Sequence, residues 1–307
     1  MTFDDIGDTR AAAEWNLAST KRALDELFRL TLQYQSSGAY WELLRFIARF
    51  RSYSPFNAML IHVQMPGAKY VATPNRWLRK YGHGIKRAAR PLVILQPRGP
   101  VMFVFDVSDV EPRLGAPPLP REIVDPFEVR GGKVGNQLEL TLENARRDGV
   151  RVSERDFGAN RAGQIGSAAP GSTHEFPIRS SPEQDCVKVP VRYELQLNGD
   201  HSREIRYATL AHELAHLYCG HLGTPDERWW PDRRHLPAQI REFEAESVCY
   251  LACQRLGIDN PSEEYLAGYV RDATETPQIS LECVMNATGL LERMGHERLK
   301  VRNESRR

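Results

Sequence analysis

His212, Glu213 and His216 form the pattern His-Glu-x-x-His, the set of residues in this chain best suited by type and spacing to catalysis. Histidines four positions apart lie on one face of an α-helix, about one turn from each other, so both imidazoles can reach a single metal ion. Glu213 follows the first histidine and faces the open side of such an ion, where it can take a proton from water. The spacing therefore predicts a helix with two metal ligands and a general base.

The residues around this pattern indicate a helix with a buried apolar face. Ser202 is suited to the N-cap, Glu204 to the first turn and Gly220 to the end of the helix. The apolar positions expected on the buried face are Ile205, Leu210, Leu214 and Leu217. An ordinary core helix would bury two histidines and a glutamate without partners, which is costly. We therefore interpret the pattern as a metal site of the kind found in zinc peptidases.

The third metal ligand must come from further along the chain, and its identity distinguishes classes of peptidase. The arrangement His-x-x-Gly-x-x-His is disfavoured, because Gly220 and His221 follow His216 at other offsets. Asp226 lies in a Gly-Thr-Pro-Asp turn, but only ten residues after His216, which leaves little chain to bring it round. Asp226 remains a minor alternative to a glutamate on a second helix.

That second helix is predicted around Arg241–Glu246, where three glutamates alternate with other residues. Glu242 and Glu246 are four positions apart and share a helix face, from which Glu244 is expected to point away. We predict Glu242 as the third ligand. Glu246 is expected to accept a hydrogen bond from the second ring nitrogen of a ligand histidine and so fix its tautomer. The alternative is an acidic helix face that is only solvated.

The chemistry predicted by these residues is zinc-dependent hydrolysis of a peptide bond. Zn²⁺ held by two histidines and a glutamate keeps an open position for water, and Glu213 takes the proton of that water. A group that stabilises the oxyanion of the transition state is also required, and His221 or Tyr269 is nominated for it. The expected substrate is a protein or a peptide.

The charge pattern of the N-terminal part is the second informative feature. Residues 43–105 contain no aspartate or glutamate, and eleven lysines and arginines are interleaved there with aromatic residues. Basic residues neutralise a nucleic-acid backbone and aromatic rings stack on unpaired bases, so the pattern suits single-stranded DNA. The residues nominated for DNA binding are Arg76, Trp77, Arg79, Lys80, Tyr81, Lys86 and Arg87. The alternative is that the aromatic residues fill a core and the charges are only solvated.

The chain is expected to contain two domains with an α+β fold. Residues 1–112 form a smaller basic domain, residues 113–121 contain three prolines and are predicted as a linker, and residues 122–307 form the zinc peptidase domain. The second domain is expected to be gluzincin-like, with a mixed or antiparallel sheet followed by the His-Glu-x-x-His helix and then the glutamate helix.

Apolar periodicity places strands before the metal helix and a closing helix after it. The segments predicted are a helix near Gln137–Arg147, strands at Val150–Arg155, Gln164–Ala168, Thr173–Pro177 and Val187–Leu197, and a helix at Ile279–Met294. In such a domain an edge strand above the cleft can pair with an extended peptide.

Composition limits the classes of protein to consider. No segment of about 18 apolar residues exists, and no basic start precedes an apolar run, so neither a membrane span nor a signal peptide is expected. A cytoplasmic location is predicted. The five cysteines form no Cys-x-x-Cys pair, and no disulfide is expected.

The peptidase region resembles a known family. Thr209-Leu-Ala-His-Glu-Leu-Ala-His-Leu-Tyr-Cys-Gly-His-Leu-Gly, followed by Glu242-Phe-Glu-Ala-Glu, is similar to the ImmA/IrrE family of zinc metallopeptidases, over roughly residues 180–295. The resemblance implies Zn²⁺ as cofactor. Because members of this family cut or control transcriptional repressors, it also implies a transcriptional regulator as substrate. Glu246 stands where many relatives have Asp or Asn, and residues 114–177 match nothing in the family.

The basic region resembles a second family. Four segments, Ser54-Pro-Phe-Asn-Ala-Met-Leu-Ile, Ala72-Thr-Pro-Asn-Arg-Trp, Gly84-Ile-Lys-Arg and Phe103-Val-Phe-Asp-Val-Ser, are similar to the N-terminal domain of ArdC-type antirestriction proteins. That domain binds single-stranded DNA and precedes a similar metallopeptidase domain. The resemblance therefore implies DNA binding here, with regulation of the peptidase by DNA as a further expectation.

Three functions of different classes follow from these features. The first is a zinc endopeptidase. The second is a single-stranded-DNA-binding protein of the antirestriction type, in which zinc is structural or not proteolytic. The third is a regulator that docks a repressor and displaces it without cutting. The presence of Glu213 favours the first, because a structural zinc site needs no general base.

Overall fold

The computed structural model describes residues 37–96, 99–120, 123, 133–155, 162–177, 186–258, 262, 266 and 277–302. Helices and several small sheets alternate through these residues, so the predicted α+β class is confirmed. The chain divides into two compact units, residues 1–53 with 57–128, and residues 54–56 with 129–307. The predicted domains at 1–112 and 122–307, with their linker and their functions, remain predictions.

In its described residues, the first unit contains two complete helices, most of a third and five strands. The helices are α1 Ser37–Arg49, α2 Pro55–Gln64 and α3 Pro74–Tyr81. The strands are β1 Val71–Ala72, β2 His83–Ile85, β3 Leu92–Gln96, β4 Gly99–Asp106 and β5 Val110–Pro112. Strand β4 lies between β1 and β3, antiparallel to both, and β2 pairs with β5.

Helix α3 has clear start and stop signals. The Thr73 side chain accepts a hydrogen bond from the Arg76 N–H, Pro74 occupies the first turn, and Gly82 ends the helix in the left-handed conformation. The buried face of α3 carries Trp77 and Tyr81, which pack in the core of this unit. The aromatic residues between the basic positions are therefore the ones that hold α3 in place.

The second unit contains four helices and five strands in the part that the structure describes. The helices are α4 Gln137–Arg147, α5 Arg203–Tyr218, α6 Ala238–Leu256 and α7 Leu281–His296. The strands are β6 Val150–Arg155, β7 Gly163–Ser167, β8 Thr173–Pro177, β9 Cys186–Pro190 and β10 Tyr193–Asn198. Strand β10 is central in a mixed sheet, parallel to β6 and antiparallel to β7, while β8 and β9 pair antiparallel. Helices α5 and α6 pack on each other, and α7 packs on α4 and α6.

The single strand predicted at Val187–Leu197 is wrong, because the chain changes partners in the middle of it. Pro190 has no N–H for a ladder and ends β9. The next two amides bond elsewhere, Val191 N–H to the Ser172 carbonyl and Arg192 N–H to the Gly149 carbonyl. The segment therefore supplies two strands to two different sheets.

Two further expectations concern membranes and cysteines. Among the described residues, no helix is both long and apolar enough to cross a membrane. All five cysteines are described and none is in a disulfide, with Cys219, Cys249 and Cys253 buried.

Candidate metal centre

Helix α5 begins and ends as its sequence predicts. The Ser202 hydroxyl accepts a hydrogen bond from the Ile205 N–H at the start of the helix. Leu210, Leu214 and Leu217 are fully buried. Ile205 was expected on the same face but is 47% exposed, because it lies in the first turn, before the helix reaches the core.

The chain reverses sharply after α5 and returns to form α6. Gly220 has φ 82°, and a Cβ there would lie 2.0 Å from the Pro231 carbonyl oxygen. The Arg233 N–H donates to the Gly220 carbonyl, 2.8 Å away, which ties the returning loop to the end of α5. Only glycine fits this crossing, and the crossing brings the glutamates of α6 against the histidines of α5.

Three side chains from α5 and α6 converge on one point. His212 Nε2 and His216 Nε2 are 3.3 Å apart. Glu242 places Oε2 3.6 Å from His212 Nε2 and Oε1 3.6 Å from His216 Nε2. The candidate ligand atoms of all three residues lie within 4.8 Å of one another. We call these three residues the metal group.

The metal group fits a tetrahedral zinc ion by its donor atoms and their spacing. Ligand atoms about 2.1 Å from a tetrahedral Zn²⁺ are separated by about 3.4 Å, close to the separations observed in the group. Two imidazole nitrogens and a carboxylate are also the donors that zinc prefers over calcium or magnesium. Two neutral imidazoles with their Nε2 atoms this close either share one hydrogen between these atoms or, if both ring hydrogens are on Nδ1, present two lone pairs that a cation can accept.

The pKa shifts of His212 and Glu242 also favour a positive charge in the metal group. Burial opposes protonation of His212, but the Glu242 carboxylate and the Glu246 charge outweigh it and raise the pKa of His212 to about 9. Hydrogen bonds from His212 and His216 hold the pKa of Glu242 well below its usual range. The group therefore attracts a cation, which a metal ion or a proton can supply.

Glu213 lies beside the metal group, against the sheet. The backbone N–H of Ile165 in β7 faces its carboxylate and favours the ionised form. Burial raises the pKa of Glu213, while the nearby imidazoles of His212 and His216 act in the opposite direction. Glu213 is thus a partly buried carboxylate beside the two histidines, as a general base requires.

Glu246 occupies the position predicted for it, behind His212. Its Oε1 is 3.4 Å from His212 Nδ1, on the side of the ring opposite the metal group. A carboxylate there accepts the Nδ1 hydrogen and leaves the Nε2 lone pair free for a metal. Asp226, the alternative third ligand, is instead paired with the Arg228 guanidinium.

His221 does not face the metal group, so its nomination as a transition-state stabiliser is wrong. It is 2% exposed, with Nδ1 3.0 Å from His216 Nδ1 and Nε2 2.9 Å from Glu244 Oε2. With both ring nitrogens occupied behind His216, it cannot reach a substrate carbonyl. Tyr269, the other nominee, lies outside the described residues.

Glu244 was expected to face away from the metal ligands, and its partners could not be read from local spacing. It is completely buried and accepts hydrogen bonds from His221, from the Arg233 guanidinium and from the Ser280 N–H. Cys219, His221 and Glu244 also lie close enough to suggest a second metal group. The Arg233 guanidinium already neutralises Glu244 through both carboxylate oxygens, which leaves no charge for a cation.

The nominated DNA-binding residues divide into two classes in the structure. Five basic side chains are exposed on α3 and after β2: Arg76, Arg79, Lys80, Lys86 and Arg87. Trp77 is 0% and Tyr81 5% exposed. The Trp77 Nε1–H donates to the Phe105 carbonyl, and the Tyr81 hydroxyl bonds that of Tyr70. The nomination of these two aromatic residues for base stacking is therefore wrong, because both rings are core.

Comparison with known proteins gives little. No family model matches the chain, and no curated protein matches it. The metal-free crystal structure of the antirestriction ArdC protein from the R388 plasmid is 16% identical, with a TM-score of 0.35, and the match covers 85% of this chain and 97% of that one. Similarity at this level is no basis for assigning a family or a function.

Proposed function

We propose that this protein is a zinc-dependent endopeptidase. The observation that carries the proposal is the convergence of His212 Nε2, His216 Nε2 and the Glu242 carboxylate beside Glu213. A structural zinc site is closed by four protein ligands, whereas this group, among the residues that the structure describes, offers three and an adjacent carboxylate. That combination supports a hydrolase over a structural site.

His212, His216 and Glu242 would hold the ion. When bound, zinc supplies Lewis acidity, which lowers the pKa of water in the site and polarises the substrate carbonyl. Two nitrogens and one oxygen favour zinc over Mg²⁺ and Ca²⁺, which prefer oxygen donors alone.

Glu213 carries the proton through the reaction. Its carboxylate accepts a proton from the attacking water as the water oxygen bonds to the carbonyl carbon. The resulting carboxyl group donates that proton to the amide nitrogen as the C–N bond breaks, which yields a carboxylic acid and an amine. The Ile165 N–H faces this carboxylate and favours its ionised form, which is the form that accepts the proton.

The position of β7 supports a peptide as substrate. Within the described part of the chain, β7 is an edge strand of its sheet, paired on one side with β10. Its residue Ile165 lies next to Glu213, so this edge runs past the reactive group. An extended peptide can add to such an edge through backbone hydrogen bonds, which suits a substrate recognised by its main chain.

The test measures zinc and peptide cleavage on the full chain. Parent protein, Glu213→Gln and Glu242→Ala are reconstituted with Zn²⁺, analysed for bound metal, and incubated with a denatured protein mixture whose new termini are identified by mass spectrometry. About one zinc per chain is expected in the parent and in Glu213→Gln, with a strong loss in Glu242→Ala. New termini are expected with the parent alone. A parent that stays folded but binds no zinc would refute the proposal.

A second candidate function, binding of single-stranded DNA, is favoured by one observation in the first unit. Arg76, Arg79 and Lys80 on α3 and the nearby Lys86 and Arg87 are all exposed, in a stretch without acidic residues. Such a set can neutralise a phosphate backbone. Because Trp77 and Tyr81 are core, this binding would depend on charge, and its salt dependence is the test.

A further inference from the structure

A buried chain of hydrogen bonds lies behind His216. His216 Nδ1 is 3.0 Å from His221 Nδ1, His221 Nε2 is 2.9 Å from Glu244 Oε2, and Glu244 is bound by the Arg233 guanidinium. The side chains of His221 and Glu244 have no exposed surface. We call His221, Glu244 and Arg233 the relay.

Every acceptor position of Glu244 is filled. Its Oε1 accepts from Arg233 Nη2 at 2.7 Å and from the Ser280 N–H at 2.7 Å. Its Oε2 accepts from Arg233 Nη1 at 2.7 Å and from His221 Nε2 at 2.9 Å. A guanidinium and a backbone amide can only donate, and an ionised carboxylate can only accept. The polarity of this end of the relay is therefore fixed.

The direction of hydrogen donation at Glu244 also determines which ring nitrogen carries the hydrogen in His221 and in His216. Because Glu244 can only accept, His221 must carry a hydrogen on Nε2. A neutral imidazole carries one ring hydrogen, so with that hydrogen on Nε2 the Nδ1 atom of His221 can only accept. His216 must then carry its own hydrogen on Nδ1. The lone pair of His216 is left on Nε2, the atom that lies 3.3 Å from His212 Nε2 in the metal group.

We propose that His221, Glu244 and Arg233 are positioning residues that hold His216 in the Nδ1–H tautomer with its Nε2 lone pair presented to the metal. This inference rests on the proposed metal site. The two histidine ligands are then oriented in different ways, His212 by direct contact with Glu246 and His216 through an intervening imidazole. Outer partners of this kind typically change metal affinity 10–100-fold when removed.

The experiment compares zinc affinity in full-length variants by competition with a chromophoric chelator. His221→Phe removes both bonds of the imidazole while keeping an aromatic ring, and a 10–100-fold weaker affinity is expected. His221→Asn keeps an oxygen near the position of Nδ1 and can still accept from His216, so it is expected to regain most of the loss. Tyr218→Phe is the matched control, because it removes a buried hydrogen bond from the same helix to Asp148 and leaves the relay intact.

A spectroscopic measurement reads the tautomers directly. In parent protein labelled with ¹⁵N-histidine, the imidazole shifts are expected to show His221 protonated on Nε2 and His216 on Nδ1. Protonation of His221 on Nδ1 would overturn the inference even if His221→Phe does not fold. Zinc affinity equal to the parent in a folded His221→Phe, or equal losses in the Phe and Asn variants, would also overturn it. In either case zinc binding by the parent would leave the proposed function standing.

Discussion

Glu213 and Ile165 bring the helix of the metal group next to the edge of the sheet, because the backbone N–H of Ile165 in β7 faces the Glu213 carboxylate. The direction of this main-chain amide is set by the pairing of β7 with β10, where Ile165 is opposite Leu195. The electrostatics of the reactive carboxylate therefore depend on the sheet as well as on its own helix.

Glu213→Gln should lower peptide cleavage by about 10²- to 10⁴-fold, because an amide cannot take the proton of the attacking water. The amide keeps the size and shape of the carboxyl group and is not one of the metal ligands, so fold and zinc content should match the parent. The measurement is the rate at which a parent cleavage site is cut. Glu204→Gln, in the first turn of α5 and outside the metal group, is the matched control and should cleave like the parent. Unchanged cleavage by Glu213→Gln would mean that peptidase activity does not depend on this base.

Gly220→Ala should destabilise the second unit by about 2 kcal/mol or more, because it adds a steric overlap to a left-handed backbone. The new Cβ would lie 2.0 Å from the Pro231 carbonyl oxygen. Gly171→Ala is the comparison, since Gly171 also has a positive φ, of 110°, but nothing within 4 Å of its Cβ position. Urea unfolding measures both. Equal destabilisation would show that the crossing at Pro231 contributes nothing beyond backbone strain.

Charge reversal at Arg79, Lys80, Lys86 and Arg87 should weaken single-stranded DNA binding and flatten its salt dependence. Each phosphate that the protein no longer neutralises lowers the slope of log affinity against log salt by about 0.7. Fluorescence anisotropy with an oligonucleotide at several salt concentrations measures the slope. Lys300→Glu, an exposed lysine of the second unit, is the control and should keep it. A salt dependence that the charge reversals leave unchanged would show that these residues do not neutralise DNA phosphates.

Asp148→Asn should change how stability depends on pH. Burial raises the pKa of Asp148 above its ordinary value, although Arg302 and the Tyr218 hydroxyl oppose the shift. A raised pKa in the folded state means that the contribution of Asp148 to stability is greatest in acid and is lost as pH rises through the folded pKa. Relative to the Asn variant, the parent should therefore lose stability between acidic and neutral pH. Urea midpoints of both proteins across that range provide the test, and a relative gain by the parent would show that pairing with Arg302 dominates.

The parts of the site that depend on spacing within one helix could be predicted from the sequence. His212 and His216 share a face of α5, and Glu242 and Glu246 approach them from α6, because four-residue spacing fixes direction on a helix. The relay could not be predicted in this way. Whether His221 faces a cleft or the interior depends on the reversal at Gly220 and on the packing of α5 against α6, which no local pattern encodes.

The aromatic residues of the first unit illustrate the same limit. Trp77 lies between basic residues in the sequence, which is compatible with either a base-stacking surface or a core. Its burial is decided by β4, since the Phe105 carbonyl in that strand accepts the indole hydrogen. A contact across 28 residues cannot be derived from the composition of α3 alone.

The three alternating glutamates of α6 have a kinetic consequence. Glu242 reaches the metal group, Glu244 the relay and Glu246 the ring of His212, so one rigid helix makes all three connections. Turning or sliding α6 would break them together, so release of a bound ion by movement of this helix would be slow. The Glu242 side chain is itself 51% exposed, so rotation of that one carboxylate would be the faster route for an ion to leave.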